Sequence, residues 1–72
     1  MDIIIITTEF IKLQDLLKFA ALVSTGGEAK NVIAAGEVTV NGEACAQRGR
    51  KIRPGDVVGY RGREITVSYA DQ

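Results

Sequence analysis

The chain has no histidine and no tryptophan, and only one cysteine, one proline and one methionine among its 72 residues. Each shortage excludes something. Without an imidazole, the common nucleophilic triads lack their base, and the usual zinc ligand sets cannot be assembled around Cys45 alone. Cys45 has no partner for an internal disulfide, which fits a reducing cytosol. Apolar runs such as Ile3 to Ile6 fall far short of the roughly 20 residues that span a bilayer, and no basic segment precedes it as in a signal peptide. The expectation is a cytoplasmic protein with no membrane association. The carboxylates are scattered without a convergent pair, so no catalytic activity is expected. Gly26-Gly27 does not meet the spacing that wraps nucleotide phosphates, and no Gly-x-Gly-x-x-Gly follows a strand, so neither a cofactor nor a small-molecule substrate is expected.

What is present describes one small folded unit. Apolar residues make up 46% and charged residues 25%, a globular rather than a disordered balance, and 72 residues enclose a single core. Residues 1–72 are therefore read as one domain: a strand at 2–8, a central motif at 12–58 and a last strand at 63–69. The four isoleucines Ile3 to Ile6 imply burial on both faces, or an edge covered by something else. From Leu13 the period changes. Leu13, Leu16, Leu17, Ala20 and Ala21 form one apolar stripe of a helix ending near Leu22. Ala29, Val32 and Ile33 mark a second helix, with Gly36 as its left-handed C′ residue. The two helices should form a hairpin.

The rest reads as β structure. Asn41-Gly42 signals a type I′ turn that sets Val40 opposite Glu43 and Val38 opposite Cys45, making Cys45 a core residue. Pro54-Gly55 suits a type II turn, followed by strands at Asp56 to Arg61 and Arg63 to Tyr69. Phe10, Phe19, Tyr60 and Tyr69 lie among apolar residues and are expected in the core, which disfavours base stacking. The fold class is α+β: a helical hairpin on a small, mostly antiparallel sheet.

Two stretches carry the candidate chemistry. Thr25-Gly26-Gly27-Glu28 matches a capping box, in which Glu28 reaches back to the Thr25 amide. The same glycines leave helix-start amides open to an anion, and both readings stand. Lys30 and Asn31 extend a polar stripe from Gly27. In Gln47-Arg48-Gly49-Arg50-Lys51-Ile52-Arg53, four cations stand together without an acid. Such a run is either a solvated loop or a polyanion site that exchanges counterions for phosphate. Between Ala44 and Arg63 six basic residues face one acid, Asp56, while the net charge is zero, so charge is polarised along the chain.

Leu13-x-x-x-Leu17, Ala21-Leu22, Thr25, Ala29, Ile33, Gly36, Val38-x-Val40-Asn41-Gly42 and Pro54-Gly55-Asp56-Val57-Val58, in that order, resemble the RNA-binding domain of ribosomal small-subunit protein S-four, the αL motif. The likeness runs from about Lys12 to Val58. A free-standing domain with an added N-terminal strand is similar to the small bacterial YaaA/YbcJ-type proteins. The resemblance implies a non-catalytic RNA-binding protein that recognises structured RNA, ribosomal RNA or ribosomal particles, in ribosome assembly or translation. It places Lys12, Thr25, Gly26, Lys30 and Lys51 on the binding face, with Asn41-Gly42 shaping the adjacent turn. Gly27, Asn31, Arg48, Arg50 and Arg53 complete the candidate surface. Arginine in much of the wider family stands where this chain has Gly26, so Lys30 and the basic loop must supply most of the charge. The alternative is an adaptor whose basic loop docks on an acidic protein.

Overall fold

The computed structural model describes residues 2–70. The elements run β1 (Asp2–Ile6), β2 (Ile11–Lys12), α1 (Leu13–Phe19), α2 (Gly26–Ala34), β3 (Val38–Val40), β4 (Glu43–Ala44), β5 (Lys51–Ile52), β6 (Val57–Tyr60) and β7 (Arg63–Tyr69). Five strands form a sheet in the order β1-β7-β6-β3-β4, antiparallel throughout except for the parallel pair β1–β7. β2 and β5 make a separate antiparallel ribbon. The α+β arrangement of two helices on a mostly antiparallel sheet is the one the sequence implies.

Period-two alternation sorts the sheet. Val38, Val40, Val58, Tyr60, Ile65 and Val67 are buried, while Thr39, Val57, Gly59 and Thr66 between them are only partly covered and Glu64 is exposed. Leu13, Leu16 and Leu17 from α1 and Ala29, Val32 and Ile33 from α2 complete the core. Each large aliphatic side chain removed from water contributes about 1.5–3 kcal/mol. Cys45 joins them, and its amide donates to the Val38 carbonyl at 3.0 Å, so the thiol is a core group as expected.

α1 ends earlier than its apolar stripe suggests. Ala21 has φ 59°, its amide donates to Lys18, and the Leu22 amide donates to Leu17. This is a Schellman termination, and it places Leu22 back against the core while Ala21 stays exposed. α2 ends in the same way, with Gly36 at φ 77° and the Glu37 amide on Val32. At its start the Thr25 hydroxyl accepts from the Glu28 amide at 3.1 Å. The reciprocal bond differs from expectation: Glu28 takes the Ser24 amide at 2.8 Å, the donor that comes within reach when Thr25 is extended.

Three turns shape the sheet. Asn41 and Gly42 both have positive φ, as a type I′ turn requires, and Val40 pairs with Glu43. Gly55 has φ 97° and the Asp56 amide donates to Arg53, closing the expected type II turn. Arg61-Gly62 is a second turn with positive φ at both positions, joining β6 to β7.

β1 is two residues shorter than the expected strand, and its burial is one-sided. Side chains alternate along it and the core covers one face of the sheet, so Ile4 and Ile6 face the core while Ile3 and Ile5, beside Thr66 and Ser68 of β7, are 66% and 57% exposed. Phe19 and Tyr69 are also exposed, contrary to expectation. Phe19 is the last residue of α1 and lines a shallow depression with Ile5, Ile6, Thr7, Thr8 and Ile11. Tyr69 lies at the last position of β7. Tyr60 is buried as expected.

Candidate nucleic-acid interface

The β2–β5 ribbon is where chain-distant cations meet. Ile11 pairs with Ile52 and Lys12 with Lys51. Alternation turns Ile52 fully into the core and Ile11 partly against it, so Lys12 and Lys51 share the outward face and both are exposed. Continuing the register by one residue sets Phe10 opposite Arg53. The Lys51 ammonium lies 4.9 Å from the centroid of the Phe10 ring and the Arg53 guanidinium carbon 5.9 Å from it. Phe10 is therefore a partly buried platform beneath two cations and not the core residue its apolar neighbours suggest. The Thr8 hydroxyl donates to the Phe10 carbonyl at 2.8 Å and orders the approach to the ribbon.

The loop before β5 is fastened through its backbone. The Leu13 amide donates to the Arg50 carbonyl at 2.9 Å and the Gln14 amide to the Arg48 carbonyl at 3.0 Å. Lys12, at the N-cap of α1, makes no side-chain cap. Loop carbonyls thus satisfy amides that a helix start leaves open. The Arg48 and Arg50 side chains are exposed.

Asp56, the acid of this segment, is occupied elsewhere. One carboxylate oxygen accepts from the Arg53 amide at 2.9 Å and the other from the Asn41 side-chain amide at 3.1 Å. The Asn41 oxygen in turn accepts from the Val57 amide at 2.9 Å. Asn41 is thus committed to joining two turns. Among the described residues, the salt bridges are Lys18–Asp15 and Arg63–Asp2. Lys12, Arg48, Arg50, Lys51 and Arg53 enter neither.

A second group lies at the start of α2. Thr25, Gly26, Gly27, Lys30 and Asn31 are all exposed, and Lys30 sits one turn beyond Gly26. The Lys18 ammonium stands 3.9 Å from where a Cβ on Gly26 would be. α1 links the two groups: its first residues hold the basic loop, and Lys18 reaches the α2 start. Sequence reasoning missed both Phe10 and Lys18. The signal for Phe10 was present in Phe10-Ile11-Lys12 and Lys51-Ile52-Arg53, two triplets with an apolar centre.

Arg61 and Arg63 lie apart, at the other end of β6 from Arg53. Arg61 stacks on Tyr60 with 5.3 Å to the ring centroid. Arg63 donates to Asp2 at 2.6 Å, and this hydrogen bond, with the guanidinium charge, holds the Asp2 carboxyl below the usual aspartate range.

Comparison with known proteins places this geometry in a family. Over 57 residues the chain is 46% identical to a probable ribosome maturation protein, RlbA, of Bacillus subtilis (strain 168), covering 79% of this chain and 80% of the relative. The solution structure of YbcJ from E. coli superposes with a TM-score of 0.73 at 30% identity, covering 94% of this chain and 87% of YbcJ. YbcJ is described as carrying an αL motif involved in RNA binding. Residues 4–68 match the S4 domain, and the chain belongs to the S4 domain family.

Proposed function

We propose that this protein binds structured RNA without catalysis, gripping phosphates and helix shape, and that it acts on ribosomal RNA or particles during ribosome maturation. The observation that carries this is the ribbon. Lys12 and Lys51 stand directly opposite one another, a pairing that costs stability in a sheet. With Arg48, Arg50 and Arg53 they form a cluster that no acid among the described residues neutralises through a salt bridge, which suits a surface completed by a polyanion. Lys30, Thr25, Gly26, Gly27 and Asn31 provide a second rim, beside which Lys18, ion-paired with Asp15, ends close to Gly26. The family and the RNA-binding motif ascribed to YbcJ support the ligand class, and the RlbA likeness supports the ribosomal setting.

In mechanism, each engaged cation releases condensed counterions from the RNA. Exposed hydroxyls and amides of the α2 start suit contacts to phosphates and 2′-hydroxyls. The test uses a labelled RNA hairpin with a base-paired stem. If four or five phosphates are engaged, log affinity should fall against log salt with a slope of about −3 to −4.5. A flat dependence would contradict the mechanism. Arg50→Glu with Lys51→Glu, both at exposed positions, should abolish binding without lowering the melting temperature, since an acid opposite Lys12 relieves the like-charge pairing. In a lysate, the native protein should sediment with ribosomal particles until nuclease releases it. Persistence in large complexes after nuclease would point instead to an acidic protein partner.

A further inference from the structure

We infer that Phe10 is a positioning residue of the RNA surface, which sets Lys51 and Arg53 in their binding arrangement before RNA arrives. The inference rests on the RNA-binding reading and adds an uncharged aromatic residue to it.

The geometry supports this in three steps. First, Lys51 in β5 and Arg53, just beyond its end, both reach over the Phe10 ring, and Lys12 adds a third positive charge across the ribbon. Left alone, these groups repel one another and splay into solvent. Second, the negative face of an aromatic ring attracts cations within about 6 Å, and both cations lie inside that range of one ring. The ring therefore offsets part of their repulsion without neutralising either charge, as a carboxylate would. Third, Phe10 is held in place by its own segment: Thr8 bonds its carbonyl, and Ile11 and Lys12, just beyond it, pair with β5.

Long basic side chains lose rotamer freedom when they bind, so cations already gathered over a ring reduce that cost. The nearby acid, Asp56, reinforces the arrangement by holding the Arg53 backbone amide. Phe10 thus acts through Lys51 and Arg53 and need not touch RNA itself.

The experiment is a coupling cycle on the labelled hairpin RNA. Phe10→Leu removes the ring but keeps an apolar side chain, and it should weaken binding by about three- to tenfold. Phe10→Tyr should bind like the native protein. In a Lys51→Met/Arg53→Met background, Phe10→Leu should have no further effect. An equal loss in that background would overturn the inference, because the ring would then be acting on RNA or on the fold directly. A second readout does not depend on any variant folding. In the free native protein, the side-chain methylene protons of Lys51 and Arg53 should show upfield ring-current shifts in NMR spectra, and random-coil shifts would overturn the inference. Should Lys51→Met/Arg53→Met bind RNA as tightly as the native chain, the RNA reading of the ribbon fails and the role of Phe10 fails with it. Ring-current shifts seen in that case would mark the failure as one of ligand and not of geometry.

Discussion

Ala21 shows how much one residue's backbone can decide. Its φ of 59° ends α1, frees Leu22 to turn inward and starts the approach to α2. A left-handed conformation is costly for any residue with a Cβ. Nothing in the side chain compensates, since Ala21 is exposed. Ala21→Gly should therefore stabilise the fold by about 0.5–1 kcal/mol, even after the greater freedom of glycine in the unfolded chain is counted. Urea denaturation checks this: the midpoint should rise with an unchanged slope. The same scale separates the two kinds of polar residue around the candidate site. Asn41 and Asp56 are used up by hydrogen bonds to one another and to backbone, whereas Lys12, Arg48 and Arg50 enter no salt bridge among the described residues.

At the scale of elements, the β2–β5 ribbon needs outside support. Two residues on each side cannot hold a pairing by themselves. Ile52 anchors it in the core, the α1 start fastens its loop, and the Asp56 carboxylate fixes the turn that follows. Removing that carboxylate leaves the Arg53 and Asn41 donors, both on exposed residues, to water in place of a fixed charged acceptor that ties the two turns together. Asp56→Ala should cost about 1–2 kcal/mol, seen as a lower denaturation midpoint. The ribbon is also the element least legible in the sequence. Alternation identifies a strand only over several residues, and Lys51-Ile52 is too short to display it. By contrast, the α2 cap at Thr25, the Asn41-Gly42 hairpin and the Pro54-Gly55 turn could be read directly, because each depends on chemistry within a few consecutive residues.

Across the whole molecule the net charge is zero, so no general positive field draws RNA in. What matters is where the charges lie. The molecule is 35 Å long, while charges in about 0.1 M salt sense one another over only about 10 Å. The basic residues of the sequence divide accordingly: Arg53 precedes β6, and Arg61 follows it at the far hairpin. Arg61→Glu reverses a charge just as a substitution in the ribbon does, yet RNA affinity should stay within about twofold of native. A loss matching that of a single charge reversal at Lys51 would mean that RNA binding follows total charge and not the local cluster.

By itself the sequence determined the parts with short-range causes. Helix stripes, caps, turn residues and the buried Cys45 follow from neighbours a few positions apart, and the absent histidine bounded the chemistry. The basic run also offered a candidate polyanion surface beside the reading of a solvated loop. Only the tertiary structure decided its composition. Pairing Phe10–Lys12 with Lys51–Arg53, bringing Lys18 to Gly26, and separating Arg61 and Arg63 from the rest all depend on contacts between distant segments. The uncovered face of the sheet likewise left Ile3 and Ile5 exposed although their composition implies burial. Such outcomes are set by how the finished core orients each strand, and no local run of residues encodes that orientation.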